Sequence, residues 1–400
     1  MPWQEQSQMS LRHEFVSLAD ADDANIRSLC RRFGISPTTG YKWLARYRAD
    51  GVEGLTDRSR QPYTSPMQTH PAMEARVVAL RDAHPAWGSR KLQRVLRDGR
   101  DRPVAAVTQQ AADPPLGVPS ASTITRILHR HDRIDPAEAV KHTAWQRFEH
   151  EQPNQLWQMD FKGHLAMGDG RCHPLLILDD HSRFLLGLFA CANEQDVTVR
   201  THLTAVFRRY GLPRSLLTDN GSPWGVPQAT DRLTMLGAWL LRLGVEPWHG
   251  RIRHPQTQGK VERVNRSFKA EVGWSYQFAD LPASQAGFDA WRDTYNLIRP
   301  HEALDLAVPA SRYQPSPRPF PEVLPPIEYG PDDIVRKVHG AGQISYRNHA
   351  WYVSQALVRQ PVALRATAED GVLDVIYCQV TIRQIDLRPS PADAVDSGLE

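Results

Sequence analysis

Between residues 22 and 50, apolar positions recur at helical spacing in two runs with a sharp break between them. Ile26, Leu29, Cys30 and Phe33 mark the first run, and Gly34 ends it. Ser36 and Pro37 open the second, which buries Tyr41 or Trp43 together with Leu44 and Tyr47. Thr38, Thr39, Lys42 and Arg46 are left facing outward. A helix, a glycine turn and a second helix with small polar residues at its start read as a helix-turn-helix, its second helix suited to a DNA major groove. The plainer alternative is a helical hairpin. Three further helical stretches follow at 72–83, 88–98 and 120–131, with Ser120 or Ser122 placed to cap the last. They form either a second DNA-binding module of winged-helix or helix-turn-helix type, or a structural three-helix bundle.

From about residue 153 the period changes. "QLWQMDF" (155–161) is rich in aromatic and apolar residues, and "PLLILDD" (174–180) is a continuous apolar run, as a strand buried on both faces requires. "RFLLGLFAC" (183–191) follows a tight Asp-His-Ser turn, so the two strands are expected to form a hairpin. A helix over 196–210, a strand at 214–222, a helix at about 229–243 and a strand at 245–249 come next. The order predicts a mixed sheet of five strands with helices packed on it. After a further helix at 284–297, prolines at 309–326 close the domain. Residues 332–386 alternate apolar and polar with Gly, Asn-His and Asp-Gly at the turns, the pattern of a small antiparallel β-barrel. The expected fold is therefore multidomain: helix-turn-helix modules at 10–60 and 68–135, an α/β core at 150–312, and a β-barrel at 328–388.

Composition narrows the function only a little. The chain has 400 residues, enough for several cores, and a net charge of +3, too small to argue for nucleic acid by itself. The distribution says more: residues 249–272 hold six Arg and Lys against two Glu, a local basic stripe of the kind that grips phosphates. Four scattered cysteines have neither zinc spacing nor a disulfide framework. There is no secretory signal at the start and no apolar run long enough to span a membrane. The expected location is the cytoplasm of a bacterium, on the nucleoid, with no membrane partner.

Three acids carry the candidate chemistry. Asp160 lies on the first strand and Asp219 at the carboxyl end of the fourth; these strands can be neighbours, and ligands of α/β sheets bind beyond such strand ends. In "HPQTQGKVERVNRSFKAE" (254–271), Val261, Val264, Phe268 and Val272 form an apolar helical stripe. Glu262, Asn265, Arg266 and Lys269 run along its edge, rotated by roughly 100°. From there Glu262 can reach toward the two aspartates. Three carboxylates in one place repel one another unless a cation lies between them, and Mg²⁺ or Mn²⁺ suits such ligands. Two of these ions can promote in-line attack on a phosphodiester. Lys260, Arg266 and Lys269, and with them Arg263 and Asn265, are candidates for DNA contact, although Arg263 points further from the cleft. Glu246, on a strand, is a rival third acid. Asp179 and Asp180, at a hairpin turn, are expected to bond backbone N–H groups.

These residues resemble the acidic triad of the DDE transposases and retroviral integrases: Asp160 in "LWQMDF", Asp219 in "LTDNGSP" and Glu262 in "QGKVER". "YNLIRPHEALDLAVPASRY" (295–313) is similar to the bacterial insertion-sequence branch, particularly the IS481 and IS3 group. The resemblance covers nearly the whole chain. It departs at one point: 42 residues (220–261) separate the second and third acids, against about 35 in the family, and "PWGVPQATD" (223–231) looks like the extra length. The zinc module of retroviral integrases is also missing from the sequence. The resemblance implies an RNase H-like core, a pair of divalent ions held by the three acids, and binding of the element's terminal inverted repeats. It further implies strand cleavage there and joining of the 3′-OH ends to target DNA. Because two ends must meet, a homo-oligomer on DNA is expected. Two other readings stay open: a DNA-binding regulator with a relic core, and an RNase H-type nuclease that does not join.

Overall fold

The structure is a computed structural model, and it describes residues 8–58, 68–101, 117–134, 149–221, 223–224, 233–249, 259–273 and 278–388. The chain divides into two compact units, residues 1–68 and 69–400.

The first unit is a three-helix module: α1 (Gln8–Ala19), α2 (Ile26–Arg32) and α3 (Pro37–Asp50). Asn25 caps α2 by accepting from the Ser28 amide, and Ser36 caps α3 by accepting from the Thr39 amide. Gly34 makes the turn between them at φ +64°, a conformation open to glycine at little cost. Trp43, not Tyr41, enters the core, beside Phe15, Val16, Cys30 and Leu44, while Tyr41 is exposed. At Gly40, α3 presses close on its neighbours. A Cβ there would meet the Phe15 ring at 2.8 Å and would overlap the Cys30 Sγ. Gly40→Ala is accordingly expected to destabilise this unit by about 1–3 kcal/mol, read as a lower thermal midpoint; an unchanged midpoint would show that the helices can part freely.

The second unit begins with α4 (Pro71–Ala83), α5 (Ser89–Arg97) and α6 (Ala121–Arg130), whose shared core holds Met73, Val77, Trp87, Leu92, Val95, Ile124 and Ile127. Ser120 takes the cap of α6, accepting from the Thr123 amide. The α/β core follows with β1 (Leu156–Phe161), β2 (Leu165–Met167), β3 (Gly170–Asp179), β4 (Leu185–Cys191), α7 (Asp196–Tyr210), β5 (Ser215–Thr218), α8 (Met235–Arg242), β6 (Glu246–His249), α9 (Gly259–Phe268) and α10 (Leu281–Asp293). The sequence-predicted helix at 229–243 and the extra length at 223–231 lie partly outside the described residues. Both α9 and α10 run on into π-helical turns, Lys269–Gly273 and Thr294–Ile298.

β3 is central to one half of the sheet, antiparallel to both β4 and β1, and β5 then adds to β1 in parallel with β6 beyond it. Five strands thus lie in the expected mixed order. Short β2, which the sequence pattern does not announce, pairs with the start of β3. Helices cover both faces. Trp157, Met159, Leu175 and Ile177 face α7 and α8; Leu176, Leu178, Leu185 and Leu188 face α9 and α10. On β1 the alternation therefore sends Gln158 and Asp160 toward α9.

The last element group is antiparallel: β7 (Ile334–Lys337), β8 (Gln343–Tyr346), β9 (His349–Tyr352), β10 (Pro361–Ala366), β11 (Val372–Tyr377) and β12 (Val380–Asp386). Four strands form a sheet in the order β12-β11-β10-β7, and β8 and β9 form a separate hairpin. Ile344 and Val353 from the hairpin region share one core with Val362, Leu364 and Val375 of the sheet. The small β-domain is thus a sheet and a hairpin closed on each other through side chains.

Candidate active site

Backbone register brings the first two acids level. On β1 and β5, Leu156 lies opposite Ser215, Trp157 opposite Leu216, and Gln158 opposite Leu217. Continued two steps, the same register sets Asp160 opposite Asp219, on neighbouring parallel strands about 4.8 Å apart. Asp219 sits one residue past the end of β5, where the chain turns, and its Oδ1 accepts from the Gly221 amide at 3.1 Å. His249, at the end of β6, brings Nδ1 within 3.3 Å of both the Asp219 carbonyl oxygen and the Thr218 hydroxyl.

α9 supplies the third side. Val261, Val264 and Phe268 are buried against the sheet. Asn265 is buried too, and its Nδ2 donates to Asp160 Oδ2 at 2.9 Å. Glu262, three residues earlier on the same edge, is exposed, as are Arg263, Arg266 and Lys269. The Asp160 carboxyl reports the crowding: it is pushed up to about 6, by burial first, then by the charge of Asp219, with Glu262 adding to both. The bond from Asn265 and the charge of Lys162 oppose that rise.

Among the described residues, no three His, Cys, Asp or Glu side chains stand close enough to hold one metal ion. Asp219 is turned to the Gly221 amide and Asp160 to Asn265, so each carboxylate finds a neutral donor in place of another carboxylate. The donor set nevertheless fits a hard divalent cation: the Asp160 carboxyl, raised by burial and by the charges of Asp219 and Glu262, and beside it Asn265 Oδ1, buried with no hydrogen-bond partner among the described residues.

Lys260 differs from the expectation. Its ammonium does not reach the rim of the cleft. It lies 2.5 Å from Asp180 Oδ1, and the side chain is 17% exposed. Asp179 does what a turn aspartate is expected to do, accepting from the amides of Asn154 and Ser182. Asp180 does more, accepting also from Gln158 and His150. Burial pushes its carboxyl up, but the charge and bond of Lys260, together with His150, outweigh that and hold it below the ordinary range. Glu246 is on β6 as expected, exposed, with Oε2 near Ser215 and Trp248. Sequence reasoning gives no part in the site to four side chains that surround it: Gln158, Lys162, Asp180 and His249. Gln158, Asp160 and Lys162 alternate along one line, and polar residues at every second place of a strand buried on both faces are a signal for the first of them.

In the helix-turn-helix, Thr38 and Lys42 are exposed and Thr39 and Arg46 are half-buried. Arg12, Lys42 and Arg46 crowd the Trp43 ring, with charged groups 4.1, 4.7 and 5.2 Å from its centre.

Comparison with known proteins agrees with this architecture. Residues 150–255 and 243–309 match two models of an integrase core domain, residues 12–63 a helix-turn-helix domain, and residues 39–128 a homeodomain-like domain. Residues 333–393 match the C-terminal domain of the IS481 family transposases. The chain is similar to the IS481 family transposases. Among curated relatives of this chain, an insertion element IS476 protein of Xanthomonas euvesicatoria is 25% identical over 67% of this chain and 72% of its own length. An insertion element IS407 protein of Burkholderia multivorans is 27% identical over 40% of this chain; the chain spans only 54% of that relative. A solved simian T-cell lymphotropic virus intasome, in complex with a PP2A regulatory subunit, aligns with 78% of this chain and 95% of its own at 14% identity and a TM-score of 0.36. Among the described residues no helix is long and apolar enough to cross a membrane.

Proposed function

We propose that this protein is a transposase that binds the terminal inverted repeats of its insertion sequence, cleaves DNA strands there with divalent metal, and joins the 3′-OH ends to target DNA. The observation that carries the reading is the β1–β5 register, which sets Asp160 level with Asp219 while α9 hooks Asn265 onto Asp160. Asp160, Asp219 and Glu262 would hold Mg²⁺ or Mn²⁺, two ions in all. When bound, such ions activate an attacking oxygen and stabilise a leaving one during in-line displacement at phosphorus.

The protein's own groups do the rest. Arg266 and Lys269, with Arg263 further out, meet the phosphates on either side of the scissile bond and draw DNA to the cleft. Asn265 holds Asp160 in one rotamer, leaving its second oxygen toward the cleft. Thr38, Thr39, Lys42 and Arg46 present the helix-turn-helix to a major groove, where the repeats are read. Two ends must be joined together, so the working form is a homo-oligomer assembled on DNA, in the nucleoid of a bacterial cytoplasm.

The test is a duplex carrying the repeats that flank the gene. With Mg²⁺ it yields 3′-end nicks and strand-transfer products, and Glu262→Gln yields neither while still binding the duplex. Binding without any magnesium-dependent product from the natural chain would instead mark a DNA-binding regulator. Cleavage of an RNA–DNA hybrid without joining would mark a nuclease.

A further inference from the structure

Gln158, Asp180 and Lys260 form a closed circuit around the first turn of α9. Gln158 Oε1 accepts from the Val261 amide at 3.3 Å, and its Nε2 donates to Asp180 Oδ1 at 2.8 Å. Lys260 Nζ lies 2.5 Å from that same Oδ1 and 3.2 Å from the Asp180 carbonyl oxygen. Gln158 and Asp180 are almost wholly buried. An amide in the first turn of a helix has no partner within the helix, so Gln158 satisfies a group that would otherwise be orphaned.

Spacing makes the circuit part of the site. Gln158 and Asp160 are two places apart on one face of β1, about 6.8 Å along the strand. Their partners on α9, Val261 and Asn265, are four places apart, about 6 Å along the helix. Strand and helix are thus joined at two points of nearly matching spacing, and Glu262 lies between them. We propose that Gln158, Asp180 and Lys260 are positioning residues that hold Glu262 at the cleft, and that Lys260 does not contact DNA. The inference rests on the triad reading above. Lys260 belongs to the buried frame, and the exposed cations further along α9 are the ones that meet phosphate.

The experiment compares Lys260→Met, Asp180→Asn and the double variant in the full chain. Each single variant leaves a buried charge without its counter-charge, whereas the double leaves two neutral groups. Expected are a nicking rate at saturating DNA lowered about 10–100-fold in the single variants, and Mn²⁺ affinity, titrated on the protein without DNA, lowered by a similar factor. The double variant recovers most of both, and the salt dependence of DNA binding stays that of the natural chain. A DNA-contact role for Lys260 predicts the opposite and would overturn the proposal: a salt slope smaller by about one, and a double variant no better than Lys260→Met. Where Lys260→Met fails to fold, Gln158→Leu carries the test. It cuts the bond to the Val261 amide and leaves the ion pair, so an unaltered rate and Mn²⁺ affinity would overturn the proposal. A natural chain that makes no nick at all would strike the triad reading instead of this one.

Discussion

In the metal-free protein at pH 7.5, Asp160→Asn is expected to raise stability, and in the presence of Mg²⁺ it is expected to remove the proposed strand cleavage and joining. The reason is the environment of one carboxyl, which burial and the neighbouring charges of Asp219 and Glu262 raise from 3.8 to about 6. A carboxyl whose pKa is higher folded than unfolded favours the native state while protonated. That contribution is complete below about pH 4 and is lost as pH rises through about 6. At pH 7.5 the natural protein thus carries an unfavourable charge of roughly 2–3 kcal/mol, somewhat less for the part that solvent screens. The side-chain amide that Asp160→Asn introduces has no charge to lose, and its oxygen can still accept from Asn265. The two unfolding midpoints should coincide near pH 4, diverge between pH 4 and 6, and run parallel above. Adding Mg²⁺ at pH 7.5 should stabilise the natural protein and leave the variant where it was. A variant that is less stable than the natural protein at pH 7.5 would show that Asp160 is not strained by its neighbours.

Much of this site is legible in the sequence because two of its three sides are set by local rules. The helical period of Val261, Val264 and Phe268 fixes which edge Glu262 and Asn265 occupy, and both lie on it, Glu262 exposed and Asn265 buried. The apolar β1 and β5, separated by a hairpin and a helix, make parallel neighbours, so level aspartates follow from strand order. What the helical wheel cannot state is what the sheet places across from it. Lys260 reads as one more cation in a basic stripe, and only the fold brings it to Asp180, 80 residues away in sequence. The turn "DDHSR" reads as self-contained for the same reason: Asp179 does close it locally, but Asp180 faces the other way, toward Gln158 and α9. Sequence alone leaves Trp43 against Tyr41 in the recognition helix undecided because each flanks Leu44 on the helix, on opposite sides, and the fold packs the indole beside Phe15 and Val16 of α1.

The docking of the second helical module on the α/β core depends on Glu271, and Glu271→Ala is expected to cost about 3–5 kcal/mol. Glu271 lies in the π-helical turn that extends α9, and its side chain is 7% exposed. Its Oε1 accepts from the Trp87 indole at 3.2 Å and its Oε2 from the Trp291 indole at 2.8 Å. Arg299, 9% exposed, sits 3.3 Å from Oε1 and donates also to Ser267 Oγ. Trp87 belongs to the core of α4–α6, whereas Trp291 and Arg299 belong to the α/β core. One carboxylate therefore ties the two together. Removing it strands a buried guanidinium and two indole N–H groups at once, the costly direction for a buried pair. Glu271→Gln keeps an acceptor oxygen but turns an NH₂ toward a donor, so it falls between. Denaturant unfolding measures the loss, and a cycle with Trp87→Phe isolates the contact across the two elements, expected to couple by about 0.5–3 kcal/mol. The same helix carries Glu262 nine residues earlier, so slackening its far end should also lower the nicking rate in Glu271→Ala. Glu271→Ala within about 0.5 kcal/mol of the natural protein would mean that apolar packing around Trp87 and Ile298 holds the module in place without the carboxylate.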